Sequence, residues 1–330
     1  MATVHQRPQD VGSEQIHQTG KRDSIEQCKT VPTLKQGLKI KLKDLGIIED
    51  DRTYEDGSKA IDYVDSADIS SGNEFLFVNL MDAHGPYIAP PDYRTVEPAD
   101  MSSMELITSG ESTEISGEGM KPAYEDCVRH LSDIYSDLHE RLTEKFDYVI
   151  TMADHGEAFG EYGMWGHTGL GPEVTNIPLS IHTPEDENDL SPTEQPVNLH
   201  DIFQTVLDLA DVEAPDGTRG ASLFSDCVHE HRLKLLETHG LSGEKLDGLR
   251  DDGYDQETID RYDQRLHAVA TETGYAFETF DGTIEYVGEK IPDAKSKMES
   301  LASSIERRED ADAVDISDEV HDRLEELGYA

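Results

Sequence analysis

Residues able to do chemistry stand where two apolar runs of this chain stop. The run Phe146-Asp-Tyr-Val-Ile-Thr-Met-Ala153 breaks at Asp154-His155-Gly156-Glu157, and Glu74-Phe-Leu-Phe-Val-Asn-Leu-Met-Asp-Ala83 breaks at His84-Gly85-Pro86-Tyr87. Carboxylate oxygen and imidazole nitrogen both ligate divalent ions, so Asp154 and His155 read as half of a metal site. His167 follows in a loop rich in glycine (Gly156, Gly160, Gly163, Gly166). His84 and His167 are of a type that contacts an oxyanion or protonates a leaving oxygen. Each feature alone has a plainer account: a half-buried histidine at a strand end, a turn acceptor in Asp154, loop packing by Trp165. The case for a site rests on their combination.

The elements that must position these residues follow from periodicity. Continuous apolar runs predict strands buried on both faces. Between them, Cys127, Val128, Leu131, Ile134, Tyr135, Leu138 and Leu142 recur at helical spacing, after a surface excursion from Pro90 to Lys121. Strand, helix, strand is a βαβ pattern and predicts a parallel sheet whose carboxyl edge gathers the strand-end residues. A short helix is expected over Asp56 to Ser66. Val174 to Ile181 reads as a strand, placed at an edge or bulge by Pro178. Asn198 can cap a helix with Asp201 in its first turn and Ile202, Phe203, Val206, Leu207 and Ala210 buried. Farther on, Glu257 to His267 suggests a helix and Ala268 to Phe280 a strand. A turn at Asp281-Gly282 leads into Thr283 to Val287, a hairpin signal. A helix capped by Ser317 and stopped by Gly328 closes the chain. Near the start, Thr33 to Lys43 is a basic patch. Leu34, Leu38, Leu42 and Leu45 suit a helix face there, although Leu38 to Lys43 also alternates as a strand would.

Composition narrows the class. The 330 residues carry 71 Asp+Glu against 28 Lys+Arg, a formal net charge of −43. Such a surface repels nucleic-acid backbones and anionic membranes. Recurrent apolar periodicity argues for a folded chain, and the acidic excess is that of proteins in concentrated salt, where screening suppresses self-repulsion. Cys28, Cys127 and Cys227 are too few and too scattered for a disulfide framework or a zinc knuckle. The first residues lack a signal-peptide core and no run is long enough to span a bilayer, so the expectation is a soluble cytoplasmic protein.

Asn79-Leu-Met-Asp-Ala-His84-Gly-Pro-Tyr87, Ala153-Asp-His-Gly-Glu157, Phe159-Gly-Glu161-Tyr-Gly163, Trp165-Gly-His167 and Ile177-Pro178-Leu179 together resemble sulfatases of the alkaline phosphatase superfamily. Val197 to Ala210, Gly217 to Leu223 and the closing Leu324 to Tyr329 are similar to later blocks of that family, and the motif resemblance runs from about Tyr54 to Ala330. It implies an α/β fold: an alkaline-phosphatase-like sandwich with a mainly parallel central sheet, helices on both faces, and a small C-terminal α+β part with an antiparallel hairpin. Three regions are expected: a polar and basic arm over 1–50, the α/β core over 51–225, and a subdomain over 226–330. By the resemblance, Asp154 and His155 would hold a divalent ion (calcium, magnesium or manganese). His84 would contact ester oxygens and help protonate the leaving group, and His167 would face the sulfate. The substrate class implied is an anionic sulfate or phosphate ester, for instance on a glycan.

One feature of the family has no counterpart in the motifs. Sulfatases carry acidic metal ligands and then Cys-x-Pro-x-Arg, or the same with Ser, near their N-terminus; Cys28-Lys-Thr-Val-Pro32 has the wrong spacing and no following Arg. Three readings stay open: an ester hydrolase, a non-catalytic truncated homologue binding anionic glycans, and a phosphotransferase or phosphodiesterase of the same superfamily. A core lacking its first strand would leave an apolar gap for a partner chain or a second copy.

Overall fold

A computed structural model of the chain describes residues 56–69, 74–97, 119–184, 196–225, 233–241, 243–251 and 253–305. The expected N-terminal arm, the basic patch, the Cys28 segment, Cys227 and the helix after Ser317 lie outside these residues. The chain divides into two compact units, the first ending at Ser225 and the second made of 226–330 with the short stretch 193–198.

In the first unit, α1 (Ser58–Ser66) and the long α2 (Met120–Lys145) form one layer. Met120, Ala123, Cys127, Ile134 and Leu138 fall at helical spacing, with one two-turn step after Cys127, and form the apolar part of the buried stripe of α2. Val128, one position off that stripe, is 38% exposed, so the helix face is narrower than the sequence spacing suggests. The helix stops where Phe146 turns extended, its amide still bonded to the Leu142 carbonyl at 2.8 Å.

Two apolar clusters hold this unit. Ala60, Val64 and Leu138 receive Leu76, Val78 and Leu80 from the extended segment 74–80. Tyr87, Ala89, Met120, Ala123 and Cys127 form the other, with Tyr124, Phe159 and Trp165 packed against it. Arg141 pairs with Asp65 at 3.1 Å, and Lys145 Nζ donates to the Val64 carbonyl, pinning α1 to the end of α2. Buried Asp126 accepts from the Thr95 amide (2.7 Å) and hydroxyl (2.8 Å) and pairs with Arg129, which ties the segment after Tyr87 to α2.

The strands differ from the sequence expectation. β1 (Val149–Met152) pairs with β4 (Leu179–His182) in antiparallel register, Val149 facing His182 and Met152 facing Leu179. Every strand pair among the described residues is antiparallel; the expected parallel central sheet is not among them. Residues 74–80 form no ladder, and Phe75 (61% exposed) and Phe77 (50%) point away from the packed face. An apolar run reports that side chains prefer burial; it does not say which backbone will hydrogen-bond to it. The Val174–Ile181 reading is also corrected. Pro172, at the start of a helix where its missing amide is harmless, opens the short α3 (Pro172–Thr175), and β4 begins only after Pro178. In α4 (Leu199–Leu209), Asp201, Ile202 and Thr205 are buried, whereas Phe203 is 46% exposed.

The second unit is a four-stranded antiparallel sheet in the order β5 (Lys234–His239), β6 (Arg265–Ala270), β7 (Gly274–Glu278), β8 (Ile284–Gly288). Between β5 and β6 come α5 (Gly243–Asp251) and α6 (Gln256–Tyr262). The latter is shorter than the expected helix because β6 already claims Arg265 onwards. Asp255 caps α6 by accepting from the Thr258 amide at 2.8 Å. β7 and β8 pair across the Asp281-Gly282 turn. The closing α7 (Ala294–Ser304) sets Ala294 and Met298 against Val269 and Ala276.

Candidate functional site

Three features of local sequence build the candidate site at the end of β1. First, the chain leaves Met152 and bends through Asp154, whose Oδ1 accepts from the His155 amide at 2.9 Å. Second, the Gly156 amide donates to the Val174 carbonyl at 2.7 Å, which docks the turn on α3. A Cβ on Gly156 would overlap the Glu173 carbonyl oxygen, so only glycine permits this approach. Third, β2 (Ala158–Phe159) and β3 (Trp165–Gly166) pair as a small hairpin, closed by Gly160 at φ +106° and a single 3-10 turn over Glu161–Gly163.

The hairpin register decides which side chains meet. Ala158 faces Gly166 and Phe159 faces Trp165, so the next positions outward are Glu157 and His167. His167 Nδ1 lies 3.9 Å from Glu157 Oε2. The His167 ring stands over that of His155, with centroids 4.5 Å apart and planes inclined at 33°. Ligand atoms of His155, Glu157 and His167 all fall within 4.8 Å of one another, the one such group among the described residues. Two imidazoles and a carboxylate at that spacing suit a divalent cation, and Asp154 Oδ2, 3.8 Å from His155 Nε2, lies beside them.

His84 and His155 share a local device. His84 Nδ1 is 2.7 Å from the Gly85 carbonyl and His155 Nδ1 is 2.9 Å from the Gly156 carbonyl. A carbonyl only accepts, so in both rings Nδ1 carries a proton, and His155 Nε2 faces Asp154 Oδ2 at 3.8 Å. The fixed tautomer is what a ligand or a base requires.

Of the four residues expected from sequence, the structure brings His155 and His167 together and leaves Asp154 beside His155. The exposed His84 ring makes no hydrogen bond, ion pair or ring contact with those three among the described residues. Its segment is nonetheless joined to the site three residues later. The Tyr87 ring packs on the site hairpin, 6.2 Å from that of Phe159, and the Glu157 carboxylate acts on its hydroxyl. Burial and the Glu157 carboxylate both push the Tyr87 hydroxyl far above its ordinary pKa, which keeps it a donor. Glu157, whose side chain is 12% exposed, is the residue that the sequence reading overlooked. Its signal was available: Glu157 and His167 are equidistant from the Glu161–Gly163 turn.

Another buried carboxylate sits at the foot of the His84 turn. Asp82 accepts from the Gly57 amide at 3.0 Å and faces His130 Nδ1 at 3.4 Å, while its Oδ2 has no hydrogen-bond partner. Burial raises its carboxyl pKa, and the Gly57 amide and His130 offset this only in part.

Comparison with known proteins follows the same lines. The sulfatase family model matches residues 8–212, beginning well upstream of Tyr54, where the motif resemblance starts. No curated protein sequence matches the chain. Among solved structures, a phosphonate monoester hydrolase from Silicibacter pomeroyi is similar at 17% identity and a TM-score of 0.38, over 57% of this chain and 40% of that one. A 2-O GAG sulfatase, BT1596, gives 15% and 0.44 over 75% and 60%. A protein designated BT4656, solved with its substrate D-glucosamine-2-N,6-O-disulfate, gives 17% and 0.35 over 52% and 33%. The chain thus spans between a third and three fifths of these relatives' lengths. Likeness at these scores carries no argument about the reaction; the family model, covering more than half of the chain, does establish descent. The chain belongs to the sulfatase family.

Proposed function

We propose that this protein hydrolyses sulfate or phosphate esters with a divalent ion held at Asp154 and His155, while His84 and His167 face the ester oxygens. The observation that carries this reading is the convergence of His155, Glu157 and His167 on one turn of a sulfatase-family chain. When bound, the ion would neutralise charge developing on the sulfuryl or phosphoryl group. The chain's own residues do the rest. The Gly156 carbonyl keeps the proton on His155 Nδ1 and so presents Nε2. His167, whose ring stands over that of His155, would meet the anionic ester in this reading. In this reading His84, held through Nδ1 by the Gly85 carbonyl, would exchange a proton with a leaving oxygen. Sulfated sugars are a reasonable substrate class, since one similar structure is described with a sulfated glucosamine as its substrate. The acidic excess fits work in concentrated salt.

The test is turnover of nitrophenyl sulfate and nitrophenyl phosphate by the full chain in high salt with added divalent ions. Activity lost in Asp154→Ala, with the circular dichroism unchanged, supports the reading; activity retained overturns it. The missing Cys-x-Pro-x-Arg motif favours a second reading, a non-catalytic binder of anionic glycans. That reading predicts no turnover, together with retention on sulfated polysaccharide that Asp154→Ala abolishes.

A further inference from the structure

We infer that His130 of α2 is the positioning residue for His84: it braces the turn that carries His84 from both flanks, through Asp82 on one side and Tyr93 on the other. This deepens the proposed function and rests on its reading of His84 as a group that faces the ester.

The His84 amide donates to the Met81 carbonyl at 2.9 Å, which closes a four-residue turn with Asp82 and Ala83 at its corners. The His84 ring is exposed, and the Gly85 carbonyl on its Nδ1 belongs to the adjacent residue, so that bond does not fix the turn to the rest of the fold. Asp82 does fix it. Its side chain is 1% exposed, and its Oδ1 accepts from the Gly57 amide at the start of α1 at 3.0 Å and stands 3.4 Å from His130 Nδ1. A Cβ on Gly57 would come within 2.7 Å of Asp82 Oδ2, so glycine is what lets α1 approach this closely.

The same imidazole reaches the chain beyond the turn. The His130 ring meets that of Tyr93 edge-on, with centroids 5.0 Å apart, and the Tyr93 hydroxyl donates to Asp133 of α2 at 2.7 Å. One side chain of the long helix therefore contacts the residues that enter the His84 turn and those that leave it. Space-filling is the plainer account of His130, and it does not explain the carboxylate. Asp82 Oδ2 is buried with no hydrogen-bond partner, which destabilises a fold, and an apolar pair would pack α1, α2 and the turn without that loss. Directional contacts add what apolar packing lacks, a single orientation for the segment that presents a functional side chain.

The experiment is hydrogen exchange in the full chain, read by NMR at the His84 amide, with the Ile134 amide of α2 as the internal control. His130→Ala should speed exchange at His84 about 10-fold and leave Ile134 unchanged. His130→Asn, which restores an N–H donor towards Asp82, should return His84 close to the parent rate. Turnover of nitrophenyl sulfate or nitrophenyl phosphate by His130→Ala should show kcat lowered about 10- to 100-fold with KM unchanged. His84 exchange equal to the parent's, or raised no more than that of Ile134, overturns the inference. Should His130→Ala fail to fold, Tyr93→Leu decides alone, since it removes the ring that packs on His130 and leaves α1 and α2 intact. A parent that turns over neither ester ends the proposed function, and the exchange rates still judge the brace. Turnover in the parent with His84 exchange unmoved in the variants ends the brace and leaves the proposed function standing.

Discussion

At the scale of single residues, the site depends on side chains that are absent as much as on those present. Gly156 lies against the backbone of Glu173, so Gly156→Ala must push α3 away from the turn. An overpacked contact of this kind costs about 1–3 kcal/mol, and the loss should appear as a lower urea midpoint together with weakened metal binding. Asp82 makes a different prediction, because its carboxyl is raised by burial. Such a group favours folding while protonated; that contribution is complete below its unfolded pKa and is lost as pH rises through the folded one. Asp82→Asn cannot titrate. Its stability relative to the parent should therefore increase as pH climbs from below 3.8, the ordinary carboxyl value, towards neutrality. Urea unfolding of both proteins across that range checks the sign, and parallel curves would refute it. Asp154 and His155 stand out in the sequence because a polar triplet interrupting an apolar run is visible without coordinates, and His167 because it follows in the glycine-rich loop. Glu157 stayed hidden because only the hairpin register puts it opposite His167.

At the scale of elements, α2 was the most legible piece, since its stripe keeps one period from Met120 to Leu138 and its neighbours need not be known. The apolar run before His84 was the least legible. Its even-numbered residues Leu76, Val78 and Leu80 do pack on helices, as a strand's inner face would. Phe75 and Phe77 face outward, which an unbroken apolar run cannot foretell. β1 was read correctly as a strand, yet its partner is β4 in antiparallel sense, a choice that depends on chain geometry after Pro178 and not on local composition. Leu138 lies where α1, α2 and the 74–80 segment meet and is 2% exposed. Leu138→Ala should cost about 2–5 kcal/mol, read from denaturant unfolding, with the range set by how far α1 can collapse into the space. A loss well under 1 kcal/mol would mean that these three elements do not share a core.

For the molecule as a whole, the dominating quantity is the charge of −43. Like charges spread over one chain repel, and the repulsion shortens in range from about 10 Å at 0.1 M salt to about 3 Å at 1 M. Melting temperature should therefore rise steeply with potassium chloride between those concentrations, and a flat response would show that the acidic groups are already compensated locally. Composition alone supports this prediction, which needs neither fold nor site. Cys127, buried 1% exposed in the cluster that also holds Tyr87, has a thiol pushed up to about 11 by burial. A thiol so shielded and so weakly acidic is a built-in clock. With Cys28 and Cys227 changed to serine, the rate at which a maleimide captures the remaining sulfur would time how often the wall behind Tyr87 comes apart.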